Sequence, residues 1–228
     1  MTTQQLLLSL GSGAGQELTY VNAATGIGTT TRLTLTHPSD VQAGDMCVLF
    51  HNTWDNDSDF VDTAPTGFNM INTDPYLYTT ATYMAHSVSY NVVANPASSV
   101  TLPLCNGDTQ SPDNQGYVAL YFRPFKTISS VNFDSSVNLQ ETAANPTLQT
   151  VRAAGNTPPI IVFAQAKSLT TIPPFVSSTT FDGFASFNAT NIDANVGYKI
   201  YNTSPVDHDV DMNDNGTNVL LSFYLRVE

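Results

Sequence analysis

The sequence predicts an all-β sandwich, and three observations carry that prediction. Thr, Ser and Asn fill 69 of the 228 positions (30, 19 and 20 respectively). Thr suits a pleated surface, while Asn and Ser serve turns. Short apolar segments recur along the chain between clusters of Pro, Gly, Asn and Asp, the spacing expected of many short strands. No stretch keeps a helical apolar period free of Pro and Gly, and the composition lacks the Ala, Glu, Lys and Leu of a helical bundle.

Each element follows from its local pattern. Residues 1–15 read as an arm whose Gly-Ser-Gly-Ala-Gly end, residues 11–15, is a flexible joint. Thr31–Thr36 alternates, with Leu33 and Leu35 on one face and Arg32, Thr34 and Thr36 on the other. Asp45–His51 is continuously apolar between its ends, as in a strand buried on both faces. Phe68–Asn72, Thr80–Tyr90, Ser99–Leu104, Gly116–Phe125, Thr127–Phe133, Pro159–Ala166 and Asn195–Tyr201 are further strands between turn signals. Asn218–Val227 closes the chain. Val219, Leu221, Phe223, Leu225 and Val227 share one side of it, and Leu220, Ser222, Tyr224 and Arg226 the other. Thr142–Thr157 is poor in large apolar residues, yet neither half alone shows a full set of strands. It is read as a long crossover inside one domain, residues 16–228. About eight strands or a few more, with long returns, point to a single jelly-roll-like β-sandwich with a short N-terminal arm. No internal repeat at a fixed period is visible.

Composition narrows the function. Hydrophobic residues are 41%, enough for a core, and charged residues only 11%, less than half the usual share. Seven basic against 19 acidic residues give a net charge of −12. Nucleic acid is disfavoured as a partner, since phosphate backbones are bound mainly by Lys and Arg. An anionic membrane surface is disfavoured for the same reason. The apolar runs, such as Met46–Phe50, are far too short to span a bilayer. Met1–Gly15 lacks the basic and apolar regions of a signal peptide, so folding in the cytosol of the producing cell is expected. Cys47 and Cys105 are accordingly expected as free thiols.

Several segments resemble sites and fall short of them. The loop Asn52–Pro65 carries Asp55, Asp57, Asp59 and Asp62, but its sixth calcium-loop position is Phe60 and its twelfth Thr66. Asp211–Gly216 matches the first six positions of that pattern, but the twelfth is Ser222, with no closing carboxylate. It reads better as a hairpin turn, Asn213–Gly216, between the strand holding Val206, His208, Val210 and Met212 and the final strand. The alternating Asp207, Asp209 and Asp211 would then discourage edge pairing. His37, His51, His86 and His208 form no metal or nucleophile motif, so neither catalysis, a metal nor a cofactor is expected. Trp54 lies with Phe60 and Phe68 beside Asn and Asp residues, as in protein-binding and sugar-binding loops.

Five segments together are similar to structural proteins of tailed bacteriophages. They are Val41–Phe50 (a Gly-Asp turn feeding a buried strand), Ala64–Phe68, Val100–Pro103, Tyr117–Phe122 and the terminal Gly216–Tyr224. The resemblance implies a virion protein, foremost a head decoration or cement protein. Such a protein binds the major capsid protein on the head exterior, as a homotrimer of jelly rolls whose N-terminal arms reach neighbours. It marks Gln4, Gln5, Leu6, Leu7 and Leu8 of the arm, with Trp54, as interface residues. The alternative is a receptor- or carbohydrate-binding module of a tail, collar or head fibre, using Trp54 and the Asn52–Pro65 loop.

Overall fold

A computed structural model of the chain describes residues 17–29, 31–55, 61–79, 82–124, 127–128, 131–133, 139–143, 149–168, 175–177, 181–212 and 218–228. The first half forms β1 (Leu18–Gly28), β2 (Thr34–Thr36), β3 (Met46–Asp55), β4 (Asn69–Thr79), β5 (Thr82–Val92), β6 (Ser99–Thr101) and β7 (Asn114–Pro124). The second forms β8 (Val131–Phe133), β9 (Leu139–Ala143), β10 (Gln149–Val151), β11 (Ile160–Ser168), β12 (Phe175–Ser177), β13 (Gly183–Ala189), β14 (Ile192–Tyr201), β15 (His208–Met212) and β16 (Asn218–Val227). The one helical segment among the described residues, Cys105–Asp108, is a tight turn with Asn106 and Gly107 at φ 47° and 66°. The protein is an all-β sandwich.

Two antiparallel sheets carry it. One has the order β1-β7-β3-β5-β4; the other runs β13-β14-β11-β16, with β8 and β9 both beside β16. Strand alternation turns Met46, Val48 and Phe50 of β3 and Val118, Leu120 and Phe122 of β7 into the space between the sheets. They meet Ile161 and Phe163 of β11 and Leu221, Phe223 and Leu225 of β16. Phe163 is the hub of this layer, with ring centroids 5.6 Å from Phe50, 5.9 Å from Phe122 and 5.3 Å from Phe223.

The intervening residues are apolar too, so both outer faces need cover. Cys47, Leu49, Ala119 and Tyr121 pack with Leu33, Leu35 and Leu102 under the two-stranded ribbon β2–β6. On the far side, Val162 and Tyr224 pack with Val151, and Ala164, Ala166 and Leu220 with Val210. Val151 and Val210 belong to the small sheet β10-β15-β12. The result is four layers of β structure.

Both halves follow one plan. Numbered within its own half, each main sheet runs first, fifth, second, fourth, third, with β8 and β9 together as the first strand of the second half. Each half also pairs the strand before its second main strand with the strand before its fifth, β2 with β6 and β10 with β15. Local signatures recur at matching places. Gly44 and Gly155, at φ 93° and 79°, turn the chain into β3 and β11. Tyr90-Asn91 and Tyr201-Asn202 stand near the ends of β5 and β14, and Tyr121–Arg123 and Tyr224–Arg226 near the ends of β7 and β16. The repeat escapes a fixed-period search because its offset falls from 111 residues at Gly44/Gly155 and Tyr90/Tyr201 to 103 at Tyr121/Tyr224.

Within each half, successive strands pass between the main sheet and the small sheet that covers it, β2–β6 in the first half and β10-β15-β12 in the second, an alternation compatible with the jelly-roll-like expectation. The turn expected near the C-terminus is corrected in detail. The hairpin expected between β15 and β16 is not formed. β15 pairs β10 and β12 while β16 pairs β11, β8 and β9; residues 213–216 lie outside the described set. β15 is thus a central strand, and Asp209 guards no edge but accepts a hydrogen bond from Thr150 Oγ1 at 2.6 Å across the β10 pairing.

Two outcomes follow from this packing. Phe163→Ala removes the hub of the inner layer and should cost about 3–5 kcal/mol, read from a urea unfolding curve. Cys47 and Cys105 are in no disulfide and are buried; a thiol reagent should label neither in the folded protein and both after unfolding. Labelling at the native rate of an exposed thiol would contradict the closed outer layers.

Candidate functional site

The inner layer changes character along its length. Continuing the alternation from Phe50 and Phe163 brings in Asn52 on β3 and Gln165 and Lys167 on β11, and Val88 on β5 is followed inward by His86. All four polar side chains are fully buried. Gln165 Nε2 donates to Asn52 Oδ1 across the sheets at 2.7 Å. Lys167 Nζ lies 2.9 Å from His86 Nδ1; an ammonium can only donate, so His86 accepts there and carries its proton on Nε2. Burial, reinforced by the Lys167 charge, holds the His86 pKa well below the ordinary histidine value. These pairs fix how one sheet sits on the other, because a shift by one residue would strand buried polar groups.

A second polar chain runs outward through the other face. Cys47 hydrogen-bonds Tyr121, whose hydroxyl lies 2.8 Å from His37 Nδ1. His37 lines an open groove of about 480 Å³ together with Thr66, Asn91, Val92, Asn95 and Ser98. Burial pushes the Cys47 thiol up to about 12, so it stays protonated at neutral pH and is no nucleophile. What the groove offers a partner is amides, hydroxyls and the half-exposed Val92.

Ion pairs and carboxylates serve mainly as fasteners. Asp45, buried, receives Arg123 Nε at 2.9 Å and Nη2 at 2.8 Å, and accepts the Gln42 N–H at 2.8 Å. This forked contact ties the start of β3 to the end of β7. Asp182 takes Lys199 on one oxygen and the Ile200 N–H on the other at 2.8 Å. Tyr201 and His208 hydrogen-bond each other, and burial followed by the Lys199 charge lowers His208 to about 4.

The residues singled out from sequence fall as follows. Trp54 is not on a loop: it is in β3, half-buried and packed against the inner layer, paired with Met84 and Asn114. The longer β3 takes in the first residues of the expected loop. Asp55 is buried at its end and accepts the Asp113 N–H at 3.1 Å, while Asp62 accepts the Gly107 N–H at 2.8 Å. Both carboxylates therefore tether the 105–114 segment. Asp57 and Asp59 lie outside the described residues, as do Gln4, Gln5, Leu6, Leu7 and Leu8. No cluster of three His, Cys, Asp or Glu side chains suited to a metal occurs among the described residues. The cross-sheet polar pairs were missed, although Gln165 and Lys167 interrupt the apolar alternation of Ile161 and Phe163 at inward positions.

The buried histidines make stability depend on pH in a defined direction. His51 is fully buried and lowered to about 4 by burial, against the opposing hydrogen bond to Gln115, and His208 to the same region. A histidine with a depressed folded pKa binds its proton more readily when unfolded. The stability is present above about pH 6.5 and lost as pH falls toward 4. For His51 alone the whole window is worth on the order of 3 kcal/mol. Urea midpoints measured from pH 7.5 down to 4 should fall mainly between pH 6.5 and 4; a flat profile there would contradict the buried neutral imidazoles.

Comparison of the chain with protein-family models, with curated proteins and with solved structures finds no match in any of the three.

Proposed function

We propose that this chain is a non-enzymatic structural protein of a tailed-phage particle, a decoration or cement protein that assembles, as a trimer, on the exterior of the head. The observation that supports this reading best is the pairing of a rigid, layered body with a charge-poor, acidic surface. The two core faces of each main sheet are occupied by its own chain, which leaves the outer surface as the working part. That surface carries few charges to desolvate, and amides and hydroxyls can form contacts with protein at low electrostatic cost. A net charge of −12 keeps such a protein away from packaged nucleic acid.

The second reading, a glycan- or receptor-binding module, draws on the polar groove with His37, Asn91, Asn95 and Ser98. Amide and hydroxyl donors around a shallow concavity suit sugar hydroxyls, with Val92 as the apolar contact.

Reconstitution separates the two. Added to heads that lack it, the purified protein should bind stoichiometrically and raise the temperature at which they release DNA. The Asn91→Ala/Asn95→Ala variant should bind them equally well. Heads left unbound and unprotected, together with cell adsorption that this groove variant abolishes, would replace the cement reading by the receptor-binding one.

A further inference from the structure

The polar end of the inner layer holds an amine, a base, a carboxamide and a hydrogen-bond donor within one buried cluster. β3 and β11 face each other with Phe50 against Phe163, and the next inward positions are Asn52 on β3 and Gln165 on β11. Lys167 follows at the inward position after Gln165. His86 on β5 is paired in register with Asn52. Their side chains therefore share the inward face of the first sheet, with Cβ atoms about 5 Å apart. Asn52, His86, Gln165 and Lys167 are all wholly removed from solvent.

Each group has the partner that amide exchange requires. Lys167 supplies a primary amine, and its Nζ lies 2.9 Å from His86 Nδ1, a ring nitrogen whose lone pair can take a proton. Asn52 supplies the carbonyl carbon. Gln165 Nε2 donates to Asn52 Oδ1 at 2.7 Å. That donor draws electron density from the carbon and is in place for the oxyanion that attack on it creates. Asn52 Nδ2, the leaving nitrogen, is turned back along its own strand, 3.5 Å from the Phe50 carbonyl oxygen. His86 both flanks Asn52 and holds the lysine nitrogen, so a turn about the terminal bonds of Lys167 carries that nitrogen to the carboxamide. A low dielectric favours an amine over an ammonium, and it is the amine that attacks.

We propose that Lys167 and Asn52 join in an isopeptide bond that staples the two main sheets together. Nζ attacks Asn52 Cγ, and the carbonyl electron pair moves onto Oδ1 against the Gln165 N–H. His86 Nδ1 takes a proton from Nζ and passes it to Nδ2. The Cγ–Nδ2 bond then breaks, the carbonyl re-forms and ammonia leaves, with no change of oxidation state. In the product Gln165 still donates to the amide oxygen, and His86 still accepts from the amide nitrogen. A buried amine is thereby replaced by a neutral amide, and the bond links the first half of the chain to the second. The inference is independent of the phage reading.

The intact mass of the natively purified full chain tests it. The wild-type protein should weigh one ammonia less than its sequence requires. Proteolysis should release a branched peptide that joins the Asn52 segment of β3 to the Lys167 segment of β11. Lys167→Met, which keeps an unbranched apolar stem, and Asn52→Leu should each have the full mass of their own sequences. His86→Phe should retain its ammonia through a week of incubation. A folded wild-type chain that keeps its full mass over the same week overturns the proposal, whatever the substitutions do to folding. Loss of ammonia that maps elsewhere, as by ring closure at Asn215-Gly216, with no branched peptide, overturns it as well.

Discussion

The aromatic contact between the two central strands governs the rest of the molecule. β3 and β11 each occupy the middle of a main sheet, and Phe50 and Phe163 meet where they face. A middle strand that is apolar on both faces cannot be satisfied by one partner sheet. Cys47 and Leu49 on one side, and Val162, Ala164 and Ala166 on the other, demand a second layer. The ribbon β2–β6 and the sheet β10-β15-β12 answer that demand with minimal strands of three to five residues. Four layers are therefore the consequence of two strands with no polar face.

The same constraint explains the shared plan of the halves better than the few residues they have in common. Each half must deliver a doubly buried second strand and then return to cover its outer face. Pairing the strand before the second with the strand before the fifth does this without crossing the main sheet. The fastenings differ between halves. Asp45 in the first turn reaches Arg123, while the Asn156 amide caps carbonyls of its own turn, accepting the Tyr224 hydroxyl at 3.3 Å. A charged clasp and a neutral one thus occupy equivalent positions, which is why topology preserves the repeat and the sequence hardly displays it.

What was legible in the sequence follows burial. β16 is read with its observed limits, and β3 and β11 to within a few residues, because long apolar runs admit one interpretation. β1 and β13 were missed. Both are end strands whose residues are small, amidic or half-exposed, so neither alternation nor an apolar run marks them. The hairpin reading of residues 206–227 went wrong for a different reason. A good turn sequence specifies a reversal, but the partner of β15 is chosen by Val151 and Val210 covering the far face. Of the site, Trp54 was recognised as notable but placed on a loop, since the polar residues around it concealed the continuation of β3. His86 and Lys167 were legible only as isolated polar residues, because the pairing between sheets is nonlocal information.

Charge scarcity ties these features together. With 26 charged residues in 228, the protein has few Lys or Glu side chains to guard sheet edges, and β13 has none. Proline and register shifts do that work on β4, and the Asn202 amide occupies both backbone groups of Leu18 at the start of β1. A surface of amides and hydroxyls has the opposite merit. It makes contacts without the desolvation that buried charges require, so the composition that leaves the end strands β1 and β13 without a charged residue also lowers the electrostatic cost of covering this surface.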